Sequence, residues 1–198
     1  VEKTIGKLIQ GKTPKQIENI KIIDPACGSG SFLLGAYEYL LNYHKNYYIQ
    51  KGVKAGKKNS PTTFQNELTS EEKKRILINN IFGVDIDANA VEVTKLSLLL
   101  KCLEGETKET ITQQQQIWHS RILPSLDNNI KSGNSLIDID FYDNIMDFGD
   151  EERKVKPFNW EKAFPEVFYR TIEEIDEKDK LKQIALKAKE HAQKAMEY

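Results

Sequence analysis

Three short apolar segments along the chain have the length and composition of buried strands. Ile20 to Ile23 is β-branched apart from one lysine, Asn80 to Ile86 has a similar apolar character, and Ile130 to Ile137 predicts a short strand followed by a turn. These segments alternate with helical patterns of apolar positions. That order is typical of an α/β fold in which helices cover a parallel sheet.

The helical patterns begin near the first residue. Residues 2 to 10 read as the end of a helix with Ile5, Leu8 and Ile9 on one face, and a second helix is predicted from 32 to about 41. A possible capping box, Thr69 with Glu72, begins a short helix through residue 77. A long helix is predicted from 88 to 103, with a capping aspartate at position 87.

Charge patterning divides the chain into regions. Residues 44 to 66 contain five lysines and no acid, so we expect a flexible lysine-rich insertion over 43–68, while 138 to 152 is strongly acidic. Residues 1–168 would then form one core. Residues 169–198 read as a charged helical extension, because its apolar stripe, Ile184 with three alanines, is thin.

The composition narrows the class of protein. The 198 residues carry 29 basic and 30 acidic side chains, so the chain is nearly neutral. The sequence contains no uncharged apolar run long enough to cross a bilayer, and its first residues are too charged for a signal peptide, which predicts a cytoplasmic protein without a membrane partner. Cys27 and Cys102 are too few for a disulfide framework or a zinc site, and we expect no metal.

Because the chain opens at Val1 with a helical pattern already under way, we expect an excised piece, truncated at both ends.

The strongest chemical signal is the segment from Asp24 to Phe32, DPACGSGSF, between a predicted strand and a predicted helix. Small residues let backbone N–H groups approach a ligand, and the helix N-terminus adds its dipole. The segment therefore predicts a site for a nucleotide-like molecule. It departs from the dinucleotide fingerprint, which requires glycine where Leu33 stands, and no Lys-Ser or Lys-Thr follows to make a P-loop.

DPACGSGSF also resembles motif I of S-adenosylmethionine-dependent DNA adenine-N6 methyltransferases, in particular the γ-type domains of type I and type IIG restriction-modification enzymes. Three further segments resemble that family in the family's order. They are NNIFGVDIDANAV (79–91) for motif II, LPSLDNNIKSGNSLI (123–137) for motif III, and FNWEKAFPEVF (158–168) shortly after it. The resemblance covers about residues 1–168 and implies a Rossmann-like core that binds S-adenosylmethionine.

The resemblance also assigns roles within the site. It implies that Asp85 holds the ribose hydroxyls, which agrees with an acid at the end of a second strand. It implies that Ile86 contacts the adenine face, that Asn134 accepts from the adenine amino group, and that Asp24 lies beside the methionine end. The complete set of cofactor-binding residues that we expect is Asp24, Pro25, Ala26, Cys27, Gly28, Gly30, Phe32, Asp85, Ile86, Asn134 and Ser135.

At several of these positions a purely structural role is an alternative to a role in ligand binding. Asn134 follows a glycine and could serve a turn, Cys27 reads as a small packing residue with no partner for nucleophilic chemistry, and Asp87 reads as a helix cap.

The family's catalytic motif, a polar residue followed by Pro-Pro and an aromatic residue, is absent because no Pro-Pro occurs in the chain. We therefore expect a cofactor-binding fragment that is inactive alone and depends on catalytic and target-recognition regions elsewhere in its parent, which would bind double-stranded DNA and flip the target adenine. Two alternatives stay open. One is a methyltransferase acting on RNA or on protein glutamine, and the other is a non-catalytic module that binds a nucleotide or DNA.

Overall fold

A three-stranded parallel sheet lies at the centre of the computed structural model, which describes residues 1–53, 60–106, 123–142 and 155–168. The strands are β1 (Ile22–Asp24), β2 (Ile81–Asp85) and β3 (Ile130–Ser132), in the spatial order β1-β2-β3. Ile22 pairs with Ile81, and Gly83 pairs with Ile130. The three predicted strands are therefore confirmed, each shorter than its apolar segment.

Helices fill the connections between the strands. A π-helical turn, Glu2–Gly6, continues into α1 (Lys7–Ile9), and α2 (Pro14–Ile17) precedes β1. The crossover from β1 to β2 contains α3 (Ser31–Gln50) and α4 (Ser70–Asn80), and α5 (Ala88–Leu103) leads from β2 towards β3. A 3₁₀ turn (Ile139–Tyr142), α6 (Trp160–Ala163) and α7 (Pro165–Phe168) follow.

The core lies where α3, α4 and α5 pack against one another and against the sheet. Its fully buried side chains are mostly aliphatic, as expected for a parallel sheet that is covered by helices. They include Leu33, Ala36, Tyr37, Leu40, Ile76, Leu77, Ile81, Leu98 and Ile130.

Two buried asparagines hold the chain segments beside β2 in place. The Asn80 amide donates to the carbonyls of Ile17 and Ile20, at 2.8 and 2.7 Å. The Asn129 amide donates to the carbonyls of Ile78 and Ile81, at 2.7 and 2.9 Å. Backbone acceptors that would be costly to bury alone are thus paired with side chains.

The helix predictions succeed best where a local cap sets the boundary. The limits of α5 coincide with the predicted ones, and Asp87 Oδ1 accepts a hydrogen bond from the backbone of Asn89 at 2.9 Å. α4 begins as predicted after Thr69 but extends to Asn80. The N-terminal helix buries Ile5 and Ile9, whereas Leu8, which was predicted on the same face, is 52% exposed.

The second helix is longer than the sequence predicts. α3 continues to Gln50, so residues 43–50 of the expected flexible insertion are helical. Tyr43 donates its hydroxyl to the carbonyl of Lys12, and Tyr48 donates its hydroxyl to Glu72, so the end of the helix is held by distant residues. Farther along the expected insertion, an isolated antiparallel bridge joins Thr62 to Leu68, and 54–59 lie outside the described residues.

The chain divides into two compact units, Val1–Asn159 and Trp160–Tyr198, whereas the sequence placed the boundary after residue 168. The described residues of the second unit form α6 and α7, where the rings of Trp160 and Phe164 lie 5.8 Å apart between centroids and are tilted by 37°. The predicted helical extension at 169–198, and most of the acidic segment, lie outside the described residues. Within the described ranges, no helix is long and apolar enough to span a bilayer, and no three His, Cys, Asp or Glu side chains group as metal ligands.

Candidate cofactor-binding site

Three loops meet at one edge of the sheet because the three strands are parallel and adjacent. The glycine-rich loop (residues 24–30) leaves β1, residues 85–87 leave β2, and residues 133–135 leave β3. The carboxyl ends of parallel strands are the usual place for ligands in open α/β sheets. The predicted site residues, which are scattered along the sequence, therefore cluster at this edge.

Two backbone N–H groups of the glycine-rich loop attach it to β2. Cys27 N–H donates to the carbonyl of Val84 at 2.9 Å, and Gly28 N–H donates to Asp85 Oδ2 at 2.8 Å. Within the loop, Gly30 N–H donates to the carbonyl of Cys27 at 2.8 Å. The two strongest predicted elements of the site, the loop and Asp85, are thus in direct contact.

Left-handed backbone at Gly28 (φ +54°) and Gly30 (φ +83°) turns the loop into α3. At Gly30 a β-carbon would also lie 2.8 Å from the methyl group of Thr94, whereas at Gly28 it would meet nothing within 4 Å. The space above Gly28 is therefore open to a ligand.

Thr94 is a residue of the site that the sequence did not reveal. It is fully buried on α5, and its hydroxyl donates to the carbonyl of Gly28 at 2.8 Å. The available signal was a polar side chain on a helix face otherwise occupied by Val91 and Leu98. Thr94 holds the loop through this hydrogen bond. Its side chain also occupies the space that a β-carbon at Gly30 would need.

The Asp85 carboxylate uses both of its oxygens to organise the loops. Oδ2 accepts from Gly28, and Oδ1 accepts from the backbone of Asp87 at 2.9 Å. The side chain is half-buried, and each carboxylate oxygen can accept two hydrogen bonds. Counting the contacts with described residues, one acceptor position remains on each oxygen, which suits a ligand with two neighbouring hydroxyl groups.

Cys27 is a packing residue rather than a nucleophile. Its side chain is 5% exposed, and burial, followed by the charges of Asp85 and Asp24, raises the pKa of its thiol to about 11. A thiol with this pKa is protonated at neutral pH, so it is a weak nucleophile. The geometry therefore favours the interpretation of Cys27 as a small packing residue.

The remaining loop residues differ in their exposure. Asp24 is half-buried and its Oδ1 accepts from Ala26 N–H at 3.1 Å, while Pro25 and Ala26 are exposed. Ile86 is 47% exposed and Phe32 is 42% exposed, so both offer apolar surface to a ligand.

Asn134 occupies the turn that competed with its predicted role. Its side-chain oxygen accepts from Leu136 N–H at 3.2 Å, and its own N–H donates to the carbonyl of Lys156 at 2.6 Å. Asn134 and Ser135 are half-buried beside this turn. A carbonyl oxygen can accept a second hydrogen bond, so the turn and a ligand contact are compatible.

Gly133 and Phe158 form a second contact that the sequence did not reveal. A β-carbon at residue 133 would lie 2.5 Å from the ring of Phe158, and that ring is 7% exposed. The close approach holds residues 155–159 against the loop after β3. Pairing at such separation in sequence cannot be read from local pattern.

These features define an α/β domain with a candidate ligand site at the carboxyl ends of its parallel strands. The chain belongs to the MmeI DNA-methyltransferase domain family, whose model matches residues 4–197. The family resemblance found in the sequence motifs is confirmed.

Individual relatives agree with this membership. The type II restriction enzyme and methyltransferase RM.Eco57I of Escherichia coli is 41% identical over 138 residues, which cover 70% of this chain. A putative type II restriction enzyme and methyltransferase of Methanocaldococcus jannaschii, RM.MjaORFECS2P, is 34% identical over 62% of the chain. The adenine-specific methyltransferase BrxX of Escherichia coli O9:H4 is 37% identical over 48% of the chain. The matched part spans 13%, 9% and 7% of these proteins, respectively, so the chain corresponds to a small part of each.

Proposed function

We propose that this chain is the Rossmann-like, S-adenosylmethionine-binding core of a DNA adenine-N6 methyltransferase in a restriction-modification system. The observation that carries the proposal is the pairing of the glycine-rich loop with Asp85 at the edge of the parallel sheet. Family membership supports the reaction class, and the names of the relatives favour DNA adenine over RNA or protein glutamine as the target.

The chemistry of the edge fits S-adenosylmethionine. Asp85 keeps one acceptor position on each carboxylate oxygen, which matches the two hydroxyls of a ribose. Ile86, exposed immediately beyond Asp85, provides apolar surface for an adenine ring. The open space above Gly28 leaves room for the ligand to approach the backbone.

The other predicted residues complete the proposed site. Asn134 would accept from the adenine amino group with Ser135 beside it, and Asp24 would lie near the positively charged methionine end. Pro25, Ala26, Cys27, Gly30 and Phe32 would shape the loop around the cofactor.

In the proposed reaction the bound cofactor supplies an electrophilic methyl group. The residues of this chain bind and orient the cofactor, and Asp85 and the loop keep its ribose fixed relative to the sheet. Orientation of the target adenine would depend on regions outside these 198 residues, because the sequence contains no Pro-Pro-aromatic motif. We therefore expect cofactor binding without detectable methyl transfer from the isolated chain.

Calorimetric titration of S-adenosylmethionine and its demethylated product tests the proposal. Asp85→Ala should weaken binding at least tenfold, because a charged acceptor of two hydrogen bonds is lost. Asp87→Ala is the matched control: it removes the same charge two residues away, and its side chain caps α5. The control should bind as the wild type does, with about 1 kcal/mol lower stability.

Two results would contradict the proposal. One is tighter binding of NAD or ATP than of S-adenosylmethionine. The other is equal loss of cofactor binding in Asp85→Ala and Asp87→Ala, which would indicate a general charge effect.

A further inference from the structure

Residues 155–159, named here the return segment, come back to the ligand edge from later in the chain. The Lys156 carbonyl accepts from Asn134 N–H at 2.6 Å, and Phe158 N–H donates to the carbonyl of Ile137 at 2.7 Å. The Asn159 amide donates to Asp138 Oδ1 at 3.0 Å. Three hydrogen bonds therefore align the return segment with the loop that follows β3.

The side chain of Lys156 extends from this segment to the loop that follows β2. Its Nζ donates to the carbonyl of Ile86 at 3.0 Å. That carbonyl belongs to the same peptide group as the N–H of Asp87, which donates to Asp85 Oδ1 at 2.9 Å. The peptide between Ile86 and Asp87 is thus held at its oxygen by Lys156, with a longer contact of 3.5 Å from the Ser132 hydroxyl, and at its nitrogen by Asp85.

The positive charge of Lys156 strengthens the hydrogen bond on the other side of this peptide. An ammonium at a carbonyl oxygen polarises the peptide and strengthens its N–H as a donor, because hydrogen bonds in a chain reinforce one another. The strengthened N–H fixes the orientation of the Asp85 carboxylate. The second oxygen of that carboxylate is fixed by Gly28.

The backbone of Lys156 supports a specific role. Lys156 has φ +46°, in the left-handed region that non-glycine residues rarely adopt, although its side chain is exposed and does not fill the core. A conformation of this kind persists where surrounding contacts determine it. Here the contacts are the hydrogen bond to Asn134 and the packing of Phe158 on Gly133.

We propose that Lys156 is a positioning residue for cofactor binding, which acts through the Ile86–Asp87 peptide on the Asp85 carboxylate. The inference rests on the proposed function, in which Asp85 holds the ribose. It adds a residue outside the three loops at the strand ends, and it links the return segment to the affinity of the site.

The test compares Lys156→Met, Lys156→Arg and the control Lys15→Met, an exposed lysine on α2. Lys156→Met should weaken S-adenosylmethionine binding about five- to tenfold, since it removes a charged hydrogen bond but retains the aliphatic stem. Lys156→Arg keeps the charge and a donor and should restore most of the affinity. Lys15→Met should bind as the wild type does.

Hydrogen exchange provides a readout that is independent of the ligand. The amide of Asp87 should exchange several-fold faster in Lys156→Met than in the wild type, because its peptide loses the charged and shorter of the contacts at its oxygen. The thermal midpoint should change little, since the removed group is exposed. A purely structural role for Lys156 would instead lower the midpoint without selective exchange at Asp87.

The outcomes separate this inference from the proposed function. If the wild type binds the cofactor and Asp85→Ala does not, unchanged binding in Lys156→Met overturns the role of Lys156 alone. Equal weakening in Lys156→Met and Lys15→Met also overturns it, because a general charge effect would explain both. Absence of cofactor binding in the wild type would contradict the proposed function, while the exchange rate of Asp87 would still decide whether Lys156 holds the peptide.

Discussion

Gly28 and Gly30 adopt the same left-handed backbone, but their surroundings differ. Gly28 lies below open space, whereas a side chain at residue 30 would collide with Thr94. A β-carbon at residue 28 therefore incurs backbone strain and enters the space proposed for the cofactor. A β-carbon at residue 30 incurs strain and overlaps a fully buried side chain.

We predict that Gly28→Ala lowers the free energy of unfolding by about 1 kcal/mol and that Gly30→Ala lowers it by about 2–3 kcal/mol. Chemical denaturation measures both values. Cofactor affinity should decrease for Gly28→Ala by more than its stability loss explains. Equal stability losses in the two variants would show that Thr94 does not confine Gly30.

Several residues of the candidate site could be located from the sequence, because local pattern is enough to place them at strand ends. The glycine-rich loop begins at the last residue of β1, and Asp85 is the last residue of β2, so strand prediction located both. Thr94 and Lys156 reach the site through hydrogen bonds that span 66 and 70 positions in the chain. No pattern within one element reports such contacts.

At the scale of elements, α5 and α3 show the same difference between local contacts, which the sequence pattern reveals, and distant contacts, which it does not. Asp87 caps α5 through its own neighbours, so the limits of that helix follow from sequence. The second half of α3 contains Lys45 and three tyrosines, and it runs into the lysine-rich stretch that reads as a loop in composition. Tyr43 and Tyr48 stabilise it through contacts with residues of other segments, which the composition does not show.

A glycine inside α3 offers a test at this scale. Gly35 is helical, and a β-carbon there would make an ordinary contact, 3.5 Å from a methyl group of Val1. Gly35→Ala should raise the free energy of unfolding by about 0.5–1 kcal/mol, because alanine loses less backbone entropy in a helix. Thermal unfolding measures the change.

Gly133→Ala is the contrasting variant. Its β-carbon would lie 2.5 Å from Phe158, so we expect a loss of about 1–3 kcal/mol from overpacking. Gly35→Ala should stabilise the protein and Gly133→Ala should destabilise it. A shift in the same direction for both variants would contradict one of the two explanations, helix entropy at residue 35 or overpacking at residue 133.

For the whole molecule, the buried side chain of His44 links stability to pH. His44 is 1% exposed, and in the described part of the chain neither ring nitrogen has a hydrogen-bond partner. Burial lowers the pKa of His44 to about 4, although the Glu72 carboxylate opposes this effect and Arg75 adds to it. At neutral pH the imidazole is therefore uncharged, and its 3.9 Å approach to Glu72 is not an ion pair.

The sign of the pH dependence follows from this lowered pKa. An unfolded histidine titrates near 6.5, so the unfolded chain gains a proton before the folded chain does as the pH falls. The free energy of unfolding should fall between pH 6.5 and 4, by about 3 kcal/mol over the full range. Above pH 6.5 His44 is uncharged in both the folded and the unfolded chain, so the full stability is retained there.

His44→Leu should remove this slope, and Asn46→Leu, an exposed change on the same helix, should retain it. Denaturation between pH 4.5 and 8 makes the comparison. Hydrogen bonds from Arg75 and Tyr48 outweigh burial and lower the pKa of Glu72 from 4.5, so its own loss falls below that window. A slope that persists in His44→Leu would assign the pH dependence to other groups.

The parallel sheet also determines when the ligand edge exists during folding. Gly28 contacts Asp85 across 57 positions, and the return segment contacts Ile86 across 70. Such pairings form only after long stretches of chain have closed into loops, which is slow and entropically costly. We therefore expect the ligand edge to be completed late in folding, so that a partly folded chain lacks the surface proposed to hold the cofactor. Binding then acts on the native state alone and shifts the folding equilibrium towards it as the ligand concentration rises.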